Sequence, residues 1–335
     1  LFFGIAALIV YTTTSTFTIS TTLQEQALTQ TAKSTASVLE LFIENAKDAA
    51  ENLANLRVAQ EALSGDAARA QAMLNKYVAN SNNLTSAMLI APDGKPVAGV
   101  TKSGDPLAAS YADREYFKAI MGGKQEYTTK TILKGKTTGT LLFVVAHAVV
   151  DDAGKTLGLA VVCPAWEHFT KKFIDPIRFG KTGYGYMLDA DGRVIAHAMN
   201  KSLLLGRLID ESITERVLAL KNGILNYLFQ GEKKYMAVAE VPQTGWLVCM
   251  TAAESEMSGL AAGQRNVLIV LGVAVLAVVA GLIMVFNRVV VIRPLHAIMD
   301  FAGKVAAGDL KAALSGKFRF ELAALAQDLG AMVAE

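Results

Sequence analysis

Arg114, Tyr116 and Phe117 are the residues of this sequence whose types and spacing are best suited to bind a small molecule. The planar guanidinium of an arginine donates two parallel hydrogen bonds to a carboxylate, which a lysine cannot imitate. A tyrosine hydroxyl and a flat ring close behind it can hold a small polar ligand against an apolar wall. The chemistry that this group predicts is therefore ligand binding. Five further candidates lie upstream or on predicted strands: Tyr111, Tyr127, Thr129, His147 and Cys163.

A structural role is the alternative interpretation of the same residues. Arg114 could form an ion pair with Asp113 or Glu126, and the aromatic side chains could belong to the core. His147 is a single histidine among apolar neighbours, which is more typical of a core residue than of a ligand contact.

The elements that must position these residues include two similar hairpins. The segments SAMLIAPDGKPVAG, from Ser86, and YGYMLDADGRVIAH, from Tyr184, each consist of an apolar run, an Asp-Gly turn and a second run. In each case a helical pattern and alternating segments follow. The predicted helices are 113–121 and 213–221, and the predicted strands are 126–133, 140–149 and 156–163, then 224–229, 234–241 and 246–251. We therefore predict two copies of a five-stranded antiparallel sheet flanked by helices.

A long helix is predicted before the first hairpin. Apolar residues recur every three or four positions from residue 42 to 63, and the pattern ends near Gly65. The stripe consists of Phe42, Ala46, Ala49, Leu53, Leu56 and Leu63.

Composition and hydropathy indicate a membrane protein. Of the 335 residues 52% are hydrophobic and 19% charged, and the mean hydropathy is +0.34. Residues 267–287 form an uncharged segment that is long enough for a transmembrane helix. Arg288 and Arg293 follow it, so the C-terminal side is expected in the cytoplasm. Residues 1–11 are strongly apolar, and residues 12–24 are uncharged although rich in Thr and Ser, so residues 1–22 are predicted to be a truncated first transmembrane helix, with a cleaved signal peptide as the alternative. The chain is expected to be part of a longer protein.

Several function classes are disfavoured. The net charge of +2 provides no basic surface for nucleic acid. The four histidines lack metal-ligand spacing, so no metal or cofactor is expected. Gly135-Lys136-Thr137 lacks the upstream glycine of a phosphate loop, and Asp189 and Asp191 are expected to lie in a solvated turn rather than to bind calcium. Two cysteines, Cys163 and Cys249, cannot form a disulfide scaffold.

Two short amphipathic helices are predicted beyond residue 292. Their apolar residues recur at coiled-coil spacing, and a Gly308-Asp309-Leu310 turn lies between them. The positions are Leu295, Ile298, Ala302 and Val305 in the first helix and Leu322, Leu325, Leu329 and Met332 in the second.

These patterns together resemble a known receptor family. A long helix and two PAS-like sheets between two transmembrane helices resemble the double Cache sensor domain of bacterial chemoreceptors, sensor kinases and cyclases. Asp113-Arg114-Glu115-Tyr116-Phe117 resembles the D-R-x-Y-F motif of its ligand-binding helix. The last segment resembles a HAMP domain, with Pro294, Gly308 and Glu321 at matching positions and Ala323 where the family usually has Gly.

The resemblance implies an α+β fold. Its expected parts are a first transmembrane helix (1–22), a long extracytoplasmic helix and connection (23–85), a membrane-distal Cache subdomain (86–164), a membrane-proximal one (165–262), a second transmembrane helix (265–288) and a HAMP domain (289–335).

The resemblance also implies a transmembrane chemoreceptor of the methyl-accepting chemotaxis type, in the bacterial inner membrane, with the eight candidate residues lining the distal pocket. Family members that bind amino acids carry strand carboxylates for the ligand's ammonium, where this chain has Thr129 and Cys163. A small organic carboxylate is therefore the expected ligand, and Lys130 or Lys134 could meet a second carboxylate.

We expect a parallel homodimer that signals to cytoplasmic proteins and has no catalytic activity within these residues. The sequence leaves open a receptor for amino acids or for a periplasmic binding protein, and the sensor of a histidine kinase or diguanylate cyclase.

Overall fold

The computed structural model describes residues 2–208, 210–257, 259–309 and 311–334, so Leu310 of the predicted turn lies outside the described residues. The chain divides into two compact units, Thr18–Leu260 and Leu1–Phe17 with Ala261–Glu335. The helices are α1 (Phe2–Ala54), α2 (Arg57–Leu63), α3 (Ala68–Asn80), α4 (Glu115–Met121), α5 (Trp166–Phe173), α6 (Glu211–Leu220), α7 (Glu254–Met257), α8 (Gly259–Phe286), α9 (Arg293–Ala306) and α10 (Glu321–Ala334).

The strands form two sheets of the same topology and one small hairpin. The first sheet has the antiparallel order β2-β1-β7-β6-β3, and the second has β10-β9-β13-β12-β11 with β8 added beside β9. β4 and β5 form a separate two-stranded hairpin. The strands are β1 (Leu84–Ile90), β2 (Pro96–Thr101), β3 (Glu126–Thr128), β4 (Leu133–Lys134), β5 (Leu141–Leu142), β6 (Val145–Val150), β7 (Thr156–Pro164), β8 (Arg178–Phe179), β9 (Gly183–Leu188), β10 (Val194–His197), β11 (Gly223–Phe229), β12 (Glu232–Val241) and β13 (Trp246–Ala253).

The identical strand order confirms the predicted pair of antiparallel sheets. Each sheet buries both faces. One face packs, together with α1, α2 and α3, into a common core, and the other face packs under α4 in the first sheet and α6 in the second. Because strands alternate between faces, the sheet register decides which side chains lie under α4.

The long helix ends earlier than predicted. α1 ends at Ala54, and Leu56 has an extended backbone (φ −72°, ψ 132°) and is 42% exposed. A continuous helix would carry the buried stripe from Leu53 onto Arg57 and Gln60, whose burial without partners is costly. The break instead lets Ala59 and Ala62 of α2 pack on the core. The sequence analysis also missed α3.

In the other unit α8 continues through a π-helical stretch, Asn287–Ile292, into α9. Within the described ranges one helical segment, Arg265–Ala306, is long and apolar enough to cross a membrane. Its most apolar 18-residue window has a mean hydropathy of 3.1 and none of that window is buried. α9 and α10 lie where the sequence predicted two short helices.

Candidate functional site

A cleft of about 400 Å³ lies beside α4, between the first sheet and the β4–β5 hairpin. Its wall combines apolar side chains with arginine, lysine and hydroxyl groups. The lining residues are Ser86, Met88, Leu107, Tyr111, Arg114, Tyr116, Leu133, Lys134, Gly135, Lys136, Thr137, Thr138, Leu142, Val144 and Cys163.

The turn of the first hairpin fixes the loop that carries Arg114. Gly94 has φ +83°, and the Tyr111 backbone N–H donates to its carbonyl at 2.8 Å. A Cβ at Gly94 would lie 2.5 Å from the Cβ of Ala112, so glycine is required for this close approach. Arg114 then takes the N-cap position of α4 with an extended backbone (φ −77°, ψ 143°).

The Arg114 guanidinium is half-buried in the cleft wall, and no acceptor of the described residues forms a hydrogen bond or ion pair with it. Both proposed structural partners are engaged elsewhere. Asp113 pairs with Lys136 (Nζ–Oδ1 2.6 Å), which holds the pKa of that carboxyl below its usual value, and Glu126 pairs with Lys47 at 2.8 Å. The alternative interpretation, in which Arg114 forms an ion pair with Asp113 or Glu126, is therefore wrong.

Three other predicted residues, Tyr111, Tyr116 and Cys163, also line the cleft. Burial raises the pKa of Tyr116 well above its usual range and that of the Cys163 thiol to about 11. Burial likewise raises the pKa of Tyr111, although a side-chain hydrogen bond with Thr137 opposes the shift. These groups are neutral at physiological pH, so they offer a ligand polar contacts without charge.

The structure places the other four predicted residues outside the described lining. Phe117 is buried in the core under α4. The Tyr127 hydroxyl donates to Glu115 (3.1 Å), and the buried Thr129 hydroxyl accepts the Val144 N–H (3.0 Å).

His147 lies on the opposite face of the sheet from the cleft. Its neighbours Ala146 and Ala148 pack under α4, whereas Val145 and Val149 pack in the core that includes α1. His147 alternates with the first pair, so its side chain belongs to the α1 face, and its Nδ1 contacts the Ala148 carbonyl at 3.0 Å.

The sequence analysis missed most of the hairpin that closes the cleft. Ser86 and the loop residues Lys136, Thr137 and Thr138 line it, and of the two suggested lysines the structure brings Lys134 into the lining. A signal was present, since one lysine and two threonines bounded by glycines lie between the apolar pairs Ile132-Leu133 and Leu141-Leu142. Residues 135–137 were considered only as a phosphate loop.

Both ends of this hairpin are tied to the second sheet and α5. The Lys130 carbonyl accepts from Trp246 Nε1 (2.7 Å), and the Thr131 hydroxyl donates to Asp189 Oδ2 (2.5 Å). At the far end the Leu141 N–H donates to Glu167 Oε1 (3.3 Å).

Asp189 was expected in a solvated turn, but it is completely buried. Its Oδ1 accepts the N–H groups of Asp191 (3.0 Å) and Arg193 (2.8 Å), in addition to the bond from Thr131 to Oδ2. A buried carboxylate needs such partners, which explains why the turn lies against the first half of the unit.

Comparison with known proteins agrees with this architecture. Residues 16–261 match the family described as Cache domain (dCache_1), which is most of the chain. The chain belongs to the Cache domain family. Curated relatives are methyl-accepting chemotaxis proteins of Bacillus subtilis: TlpB is 22% identical over 77% of this chain and 38% of TlpB, and TlpA is 25% identical over 69% and 35%. The chain thus spans less than two fifths of these relatives.

A solved Cache fold is also similar. The ligand-binding domain of the Campylobacter jejuni chemoreceptor Tlp3, in complex with 4-methylisoleucine, has a TM-score of 0.58 and 18% identity, covering 71% of this chain and 94% of that one. At this identity the likeness concerns the fold alone. The two sheets therefore have the Cache fold, in agreement with the family match.

Proposed function

We propose that this chain is the sensor part of a transmembrane chemoreceptor that binds a small organic carboxylate in the cleft beside α4. The observation that carries the proposal is the half-buried Arg114 guanidinium, for which the described residues provide no acceptor. Because Arg114 is partly removed from water and has no counter-charge among the described residues, an anionic ligand that pairs with it stabilises the bound state.

The charge of the wall favours a ligand without an amine. Arg114, Lys134 and Lys136 line the cleft, and none of its described lining residues is Asp or Glu. The solved Tlp3 domain is in complex with an amino-acid ligand, whose ammonium would lack a carboxylate partner here. Lys136 is neutralised by Asp113, whereas Lys134 has no partner among the described residues, so it could meet the second carboxylate of a dicarboxylate.

The hairpin gives the binding event a route to the rest of the molecule. In this proposal residues 86–164 form the membrane-distal subdomain and 165–262 the membrane-proximal one. Closure of the hairpin on a ligand pulls on Thr131 and Leu141, which are bonded to Asp189 and Glu167 of the proximal subdomain. Such a signal requires the ligand to bind one arrangement more tightly than the other.

The membrane arrangement remains that of the sequence analysis. Residues 1–22 and 265–288 would span the inner membrane, with the long helix of residues 23–85 outside and a HAMP domain over 289–335. The exposed Val10, Tyr11 and Ile19 side chains of α1 suit a lipid or helix contact.

Residues of the predicted coiled-coil seam support a parallel homodimer. Leu295, Leu325 and Met332 are 40%, 43% and 66% exposed in the single chain, which leaves apolar surface for a second copy. Cytoplasmic signalling proteins would receive the output, as the methyl-accepting relatives suggest.

A thermal-shift experiment on the chain in nanodiscs tests the ligand class. Acetate, succinate, isoleucine and ethylamine are compared on the wild type, on Arg114→Ala and on Lys118→Ala, which removes one exposed charge from the same helix outside the cleft. At a free concentration of about 100 times its Kd, a ligand stabilises the folded state by about 2.7 kcal/mol. We expect succinate or acetate to raise Tm in the wild type and Lys118→Ala, and not in Arg114→Ala. An equal increase of Tm with isoleucine would indicate an amino-acid receptor. If no compound changes Tm, a receptor for a periplasmic binding protein would be indicated instead.

A further inference from the structure

The second sheet has a cavity of its own under the face that packs against α6, with an empty space of about 470 Å³ that includes its open mouth. This cavity occupies the same position in the second copy of the repeat as the Arg114 cleft does in the first. The two sheets share one strand order, and α6 occupies the place of α4. Its wall is largely aromatic. The lining residues are Tyr184, Tyr186, His197, Leu203, Leu208, Asp210, Ile213, Tyr227, Phe229 and Met236.

The three tyrosines of this wall are uncharged. Burial raises the pKa of Tyr184, Tyr186 and Tyr227. The Tyr186 hydroxyl donates to the sulfur of Met236 (3.1 Å), and the Tyr227 hydroxyl bonds Thr251 Oγ1 (2.8 Å). Among the described residues the Tyr184 hydroxyl has no partner, so it is available to a ligand.

His197 adds a hydrogen-bond donor. Its Nδ1 accepts the N–H groups of Met199 (3.2 Å) and Asn200 (2.9 Å), so the proton of the neutral ring is on Nε2. Burial, then the charge of Lys201, lowers its pKa and keeps the ring neutral. The ring packs on Tyr184 and Tyr186, with centroids 4.9 and 5.8 Å apart, and in the described part of the chain Nε2 has no partner.

The lining of this cavity contains one carboxylate, Asp210, in contrast to the cationic Arg114 cleft, and the lysines near it are engaged with other groups. Asp210 Oδ1 accepts the Ser212 N–H (3.0 Å) and hydroxyl (2.7 Å) at the start of α6. The Lys234 ammonium lies over the Phe229 ring, 5.3 Å from its centroid. Lys201 pairs with Asp175 at 2.5 Å. An anionic ligand would therefore be repelled by Asp210, and a cation such as an amidinium has no acceptor for the Nε2–H of His197. A flat uncharged ligand with an acceptor meets aromatic faces and two polar groups that have no partner among the described residues.

We propose that this cavity is a second ligand site, which takes an uncharged aromatic compound that carries a hydrogen-bond acceptor. The ring of the ligand packs among Tyr184, Tyr227 and Phe229, and its acceptor takes the Nε2–H of His197. The two sheets would then bind ligands of opposite character, an anion in the first and a neutral aromatic compound in the second.

Three compounds of nearly the same shape test the charge requirement. Benzamide is neutral, benzoate is its anionic counterpart and benzamidine its cationic one. Calorimetric titration of the chain in nanodiscs should show benzamide binding, with the two charged compounds at least about tenfold weaker. The titrations are repeated on Arg114→Ala, so that binding in the first cleft is not mistaken for binding here. Absence of benzamide binding, or equal binding of benzoate or benzamidine in Arg114→Ala, would overturn the proposal.

Two variants locate the site. Leu203→Trp fills the cavity and should abolish benzamide binding. Leu228→Trp is the matched control, because Leu228 is 63% exposed on β11 between two lining residues and faces away from the cavity. If Leu203→Trp fails to fold, Phe229→Ala replaces it, and the loss of one stacking ring should weaken binding about tenfold. Undiminished affinity in the folded cavity variant would exclude this site.

Discussion

The hydrogen bond between Thr131 and Asp189 should contribute measurably to stability, because it joins the start of the β4–β5 hairpin to a completely buried carboxylate. Thr131→Val keeps the shape of the side chain but leaves Asp189 Oδ2 without the hydroxyl donor. Losing a hydrogen bond to a buried charged group costs about 1.5–3 kcal/mol. Each kcal/mol lowers Tm by about 2–4 °C in a domain of this size, so we expect a decrease of about 3–12 °C.

The assay is thermal unfolding of the chain in nanodiscs, followed by tryptophan fluorescence. Both tryptophans, Trp166 and Trp246, are buried between the sheets and therefore report on this region. Thr156→Val is the control, since Thr156 is half-buried on β7 and its hydroxyl has no partner among the described residues. The control should change Tm by no more than about 2 °C. If Thr131→Val has the same Tm as the wild type, the hydrogen bond does not stabilise the fold. The proposed signal transmission from the hairpin to Asp189 would then be refuted.

Three further predictions concern buried groups and one turn. Cys163 and Cys249 are free, buried and have pKa values raised by burial to about 11 and about 12, so the native chain should react with a thiol reagent at neutral pH only as fast as it unfolds; rapid labelling would contradict this. Burial lowers the pKa of His197 from its ordinary 6.5, so the stability gained from its neutral form is complete above that pH and is lost as the pH falls below it; Tm should therefore decrease between about pH 7.5 and about pH 5 more in the wild type than in His197→Asn, and equal decreases would exclude this cause. Gly94→Ala should lower Tm and carboxylate affinity more than Gly154→Ala, because both glycines have φ near +80° but only the first is packed against a neighbouring loop; equal effects would mean that backbone strain alone matters.

The repeat was predictable from sequence because local chemistry determines it. The two Asp-Gly turns sit between apolar runs, and the structure has β1–β2 and β9–β10 at these places. In contrast, α3 was missed although Ala70, Leu74 and Val78 are spaced by four and are buried. The helical spacing of these three residues was not recognised because the segment is short and its other residues are mostly polar.

The face of the first sheet that lines the cleft was less predictable than the strands. β6 reads Val-Ala-His-Ala-Val-Val and is apolar on both faces, so no alternation shows which side His147 occupies. Of the predicted site residues, the structure brings Arg114, Tyr111, Tyr116 and Cys163 together in one cleft. The predicted strands 126–133 and 140–149 are each divided in two in the structure, and the separate β4–β5 hairpin was not recognised because two-residue strands give almost no periodic signal.

The energetics of switching limit what Arg114 can do alone. Moving a two-state equilibrium from 1:99 to 99:1 requires about 5.5 kcal/mol of differential binding free energy. A guanidinium–carboxylate hydrogen-bonded pair contributes about 1.5–3 kcal/mol. The remainder must come from contacts that form only when the hairpin closes, and its Lys134, Thr137 and Thr138 side chains are the polar groups in position to make them. A dicarboxylate that reaches Lys134 should therefore shift the equilibrium further than a monocarboxylate at equal saturation.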